Sequence, residues 1–177
     1  MSGDLVVQSV FVTSPDFSKA RLYADAVLIG TSKETLARDF GDGAWTLHAK
    51  GVLNSGRSFA EAVIYELVCA EGFDPQRKSI QTHGIFEGGL RLIVPKISIP
   101  RHVELHLLWF KDWGNAGGHG MLGRDGSAPL DFRSVSRETL AHAHNHVLGV
   151  AQWIRDEYRG GEFATAFRFP ERVAVES

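Results

Sequence analysis

Along much of the chain, apolar residues recur at every second position rather than every third or fourth. Residues 20–29 place Leu22, Ala24, Ala26 and Leu28 on one side of an extended backbone and Arg21, Tyr23 and Asp25 on the other, the pattern of a half-buried strand. Residues 43–53 alternate in the same way, as do Phe163, Thr165, Phe167 and Phe169 near the end of the chain. Residues 5–12 form a β-rich run, and Ser14-Pro15-Asp16 supplies the turn after it. From 79 to 110 nearly every segment reads as strand. Glu87-Gly88-Gly89 is a hairpin signal, Leu90, Leu92 and Val94 share a face, and Pro95 and Pro100 suit edges or bulges. Residues 102–110 then run as one long strand.

Three stretches read as helix. Thr31 and Glu34 make a capping box for a helix over about 32–40, in which Leu36 and Phe40 stack one turn apart before Gly41. Ser58 and Glu61 make a second, opening a helix over about 59–71 that turns Phe59, Val63 and Leu67 inward and stops at Gly72. The longest spans about 136–159, capped by Ser134 or Ser136 and halted by Gly160-Gly161. Its stripe of Leu140, His144, Val147, Ala151, Ile154 and Tyr158 steps by four and three, like a core seam. Strands joined by short turns, with few helices, predict an α+β fold: a mainly antiparallel sheet covered by the long C-terminal helix and flanked by the two shorter ones. One domain over 1–177 is expected, with 170–177 as a flexible tail.

Composition narrows the function classes more than it names one. A chain of 177 residues with 44% hydrophobic and 23% charged residues can bury a core of its own. The net charge of −2, spread evenly, provides no electrostatic footprint for bulk nucleic-acid binding. A single cysteine, Cys69, excludes an intrachain disulfide and a thiolate zinc cluster, and its apolar neighbours make it an inert small hydrophobe. No run approaches the ~20 apolar residues of a membrane span, and the N-terminus lacks the pattern of a signal peptide, so a cytoplasmic protein is expected.

Chemistry concentrates between Arg101 and His146, which hold six of the eight histidines. On a strand, residues i, i+2 and i+4 share a face, so His102, Glu104 and His106 would point together. Two neutral imidazoles and one carboxylate can hold a divalent ion (Zn, Fe or Mn) and leave a position open for water. His119, in a stretch of six glycines over 114–126, and the helical pair His142 and His146 could add a ligand or an acid–base group. The first functional expectation is therefore a metal-dependent hydrolase acting on a small molecule. The alternative is a non-catalytic protein-binding or assembly module, such as a homo-oligomer, using the aromatic and glycine-rich segment 109–126 with Trp109, Phe110 and Trp113.

Other patterns lose to plainer readings. Gly118-His119-Gly120-Met121-Leu122-Gly123 spells the dinucleotide fingerprint, but no helix begins there to meet a pyrophosphate, so no nucleotide cofactor is expected. Ser58, between a strand and a helix like a nucleophile elbow, is better explained as a cap. His142-Ala143-His144-Asn145-His146-Val147-Leu148 resembles the histidine-triad motif of nucleotide hydrolases and transferases, His-φ-His-φ-His-φ-φ with φ apolar. That resemblance implies a strand here and gives His144 the role of nucleophile. It covers seven residues, Asn145 departs from the apolar pattern, and the flanking text from Ser136 to Arg159 is helical by period.

Overall fold

Leu105 decides the character of the segment that carries the first histidines. Its side chain is 49% exposed, whereas Val103, Leu107 and Phe110 are fully buried. Inward positions at i, i+4 and i+7 belong to a helix. The computed structural model describes residues 16–118, 135–158 and 167, and among these there is no strand. The expected α+β fold with a mainly antiparallel sheet is therefore replaced by an all-helical one. The first β-rich run, the part of the glycine stretch beyond Gly118 with His119, the last predicted strand apart from Phe167 and the tail 170–177 lie outside the described residues, while residues 114–118 continue α6.

The helices are α1 (Ser18–Gly30), α2 (Lys33–Leu36), α3 (Asp42–Ala70), α4 (Lys78–Gly84), α5 (Leu90–Ile97), α6 (Arg101–Gly118) and α7 (Arg137–Asp156). A single π-helical segment, Ile85–Gly89, joins α4 to α5 where a hairpin turn was expected. The helix expected over 32–40 is reduced to α2, with Ser32 in place of Thr31 as the cap that accepts from Thr35 N–H. The strand at 43–53 and the helix at 59–71 are one continuous helix, α3. Its buried set (Ala49, Val52, Leu53, Gly56, Phe59, Ala60, Val63, Ile64, Leu67, Val68) follows one helical face through the supposed break. Only α7 stands where the last helix was expected, with Ser136 accepting from Thr139 N–H at its start.

Close packing accounts for three of the glycines. A Cβ on Gly56 would stand 2.2 Å from Phe110 Cε1, so the bare backbone of α3 is what lets α6 approach. Phe59 and Phe110 then meet edge to face at 6.3 Å. Gly88 sits against the Ser79 carbonyl and Gly89 against Ile64, which seats the π segment on α4 and α3. Pro95 lies inside the last turns of α5, and the Pro100 carbonyl accepts the first backbone bonds of α6. Contacts fix the directions. Gly30 at the end of α1 lies by Val52 and His48 near the start of α3, while His106 of α6 meets His146 and Gly149 of α7. Thr31, just past α1, meets His144 of α7, and Phe17, just before α1, meets Tyr158 beyond α7. Neighbours thus run antiparallel around a bundle of α1, α3, α6 and α7. None of the described helices is long and apolar enough to cross a membrane.

Candidate functional site

The strand reading of 102–110 put Glu104 beside His102 and His106. On α6, position 104 lies about 200° around the axis from 102, on the opposite side. The Glu104 carboxylate instead pairs with Arg101 at 2.6 Å and faces α5. The expected His102/Glu104/His106 ligand set is therefore not assembled. The stripe that does form on α6 is His102, His106, Trp109 and Trp113, stepping four, three and four. On α7 the matching stripe is His142, His146 and Gly149.

Where these stripes cross, the Nδ1 atoms of His106 and His146 are 2.7 Å apart. At that distance the two rings share one hydrogen: one Nδ1 carries it and the other accepts. Gly149 makes the contact feasible, because a Cβ there would lie 2.6 Å from the His106 ring. Trp109 lies over His146 with ring centroids 4.5 Å apart and planes tilted by 31°, and Trp113 packs on Trp109 in turn. Burial under these rings, with His106 and His142 nearby, drives the His146 pKa down to about 4. His146 is thus a neutral imidazole at physiological pH, the state that ligates metals or accepts protons.

Because α6 and α7 run antiparallel, His102 and His142 flank the pair on opposite sides. The four imidazoles follow one another as neighbours, with centroid steps of 6.1 Å (102 to 106), 4.8 Å (106 to 146) and 6.4 Å (146 to 142). Both end histidines are exposed, and both middle ones are half-buried. His142 also has the Glu138 carboxylate 3.8 Å away. Among the described residues, no three His, Cys, Asp or Glu side chains already stand close enough to grip one ion.

His144 takes no part in this series. It is 1% exposed and its Nδ1 lies 2.8 Å from Thr31 Oγ1. The Thr31 hydroxyl donates to the Val27 carbonyl at 2.7 Å, so His144 Nδ1–H must donate to Thr31. The histidine-triad resemblance needs its three imidazoles on a strand; here they lie within α7, and the middle one is buried between helices. Sequence reasoning missed Trp109, Gly149 and Thr31 as neighbours of the histidines. The signal was present in the four-three-four step from His102 to Trp113, which only a helix brings to one side. The chain matches no protein family, no curated protein and no solved structure.

Proposed function

We propose that the protein binds a divalent transition-metal ion at the crossing of α6 and α7 and uses it for hydrolysis of a small molecule. The observation that carries this reading is the 2.7 Å approach of His106 and His146 from two different helices. Each belongs to a pair spaced i, i+4, a spacing that lets two imidazoles share one ion. Donors on a tetrahedral ion stand about 3.3 Å apart. The ion would therefore take the place of the shared hydrogen after a rotation of the rings that separates them by about 0.6 Å. A swing of exposed His102 or His142 would complete a three-imidazole set, with water in the fourth position. Losing Glu104 from the set removes its oxygen donor, which favours Zn or Fe over Mn. The proposal carries with it a cytoplasmic setting, in which Cys69 would stay a thiol.

Metal analysis of protein made without an affinity tag, followed by calorimetric titration with Zn²⁺, tests this reading. One ion per chain is expected, with affinity reduced at least tenfold by His106→Ala or His146→Ala and unchanged by Glu104→Gln. No stoichiometric ion and no saturable heat would end it.

A second reading, a non-catalytic assembly module, draws support from a different surface than the aromatic segment. Leu22 and Ile29, two turns apart on one side of α1, are 67% and 71% exposed, and Leu47 near the start of α3 is 74% exposed. Under this reading the mass in solution exceeds that of a monomer and falls with Leu22→Asp and Ile29→Asp.

A further inference from the structure

On the side of α6 turned away from the histidines, a cleft of about 340 Å³ opens between that helix and α5. Phe86, Leu90, Val94 and Pro95 form one wall, and Leu108 closes the other. This is the size and mostly apolar lining of small-molecule sites. The π segment supplies the start of the first wall, with Phe86 buried, and α5 continues it with buried Leu90. Single π turns recur at functional sites in helical proteins.

Charge at the rim distinguishes one class of ligand from others. Two carboxylates reach the cleft, and each is already neutralised by a cation on α6: Glu87 by Lys111 at 2.7 Å and Glu104 by Arg101 at 2.6 Å. Arg91 also lines the cleft, is exposed, and has no ion-pair partner among the described residues. The net charge offered to a ligand is therefore one guanidinium, whose planar fork suits a carboxylate or phosphate.

We propose that this cleft binds a small amphiphilic anion, with its hydrocarbon body against Phe86, Leu90, Val94 and Leu108 and its acidic head on Arg91. The site is independent of the histidine crossing and stands whether or not that crossing holds a metal.

Calorimetry with sodium decanoate below its micellar concentration tests the assignment. Decanoate is expected to bind one per chain, decanol at least tenfold more weakly, and decyltrimethylammonium not at all. Arg91→Gln, at an exposed position that disturbs no packing, should bring decanoate down to the affinity of decanol. Val94→Trp, which fills the cleft, should abolish binding of both. Should that variant lose its helical circular dichroism, Arg91→Gln decides alone. Absence of saturable decanoate binding, equal binding of the ammonium amphiphile, or indifference to Arg91→Gln would each overturn the proposal.

Discussion

Gly149 and His106 occupy one space: the imidazole of α6 fills the volume that a side chain on α7 would need, with its Cδ2 and Nε2 2.6 Å from an imagined Cβ. Replacing Gly149 by Ala gives α7 a better helix former, worth about 1 kcal/mol, and pushes the ring away. Unfolding stability is expected to change by less than about 1 kcal/mol while Zn²⁺ affinity falls about tenfold. A denaturation curve and a metal titration on the same variant separate the two effects.

Gly56 presents the opposite case, because the neighbour there is a fully buried ring. Gly56→Ala drives a methyl into Phe110, and overpacking of this kind costs about 1–3 kcal/mol. Pairing it with Phe110→Leu should return part of the loss. Urea unfolding of the two single variants and the double variant measures that coupling.

Acid should loosen the crossing of α6 and α7. The folded state holds the His146 pKa near 4, below the ordinary value of 6.5, so between those values the unfolded chain binds more protons. Stability from this group is complete above about pH 6.5 and is lost as pH falls through about 4. The expected loss is about 1–2 kcal/mol once discounted for the partial exposure of the ring. His146→Leu should flatten that part of the stability–pH curve, and NMR titration of the His146 ring protons should find its midpoint near pH 4.

Thr31 and His144 are coupled through one hydrogen bond in the core. Thr31→Val removes the acceptor of the His144 Nδ1–H and should cost about 1–3 kcal/mol. In a His144→Leu background the same change should cost less, since the donor is gone. A double-mutant cycle in guanidinium reads the difference.

How much of this was legible in the sequence depends on what each pattern could discriminate. The α7 seam was legible because Leu140, His144, Val147, Ala151, Ile154 and Tyr158 repeat over five turns, long enough for period 3.6 to stand apart from period 2. Over a single short run the two periods overlap. Leu22 to Ala26 and Val103 to Leu107 alternate, yet Leu22 and Leu105 face solvent, and the real stripes are Ala20, Ala24, Val27 and Val103, Leu107, Phe110. Glycine and proline misled for a related reason. Gly88 and Gly89 suggest a hairpin and Pro95 an edge or bulge, but both glycines, like Gly56, are places where another element comes close, a property of tertiary packing that no local window contains. The site followed the fold: once 102–110 became a helix, Glu104 left the histidines and Trp109 joined them.

The stripes of α6 and α7 share one spacing: each helix contributes a histidine, three residues, and a second histidine. Their contacts are reciprocal, because the residue three past each inner histidine meets the inner histidine of the other helix. The two stripes differ at that residue, where α6 carries Trp109 and α7 carries Gly149. One ring therefore lies under an indole, while the other occupies the room left by a missing side chain. Two chemically identical groups at nearly matching positions are made unequal by a single pair of residues.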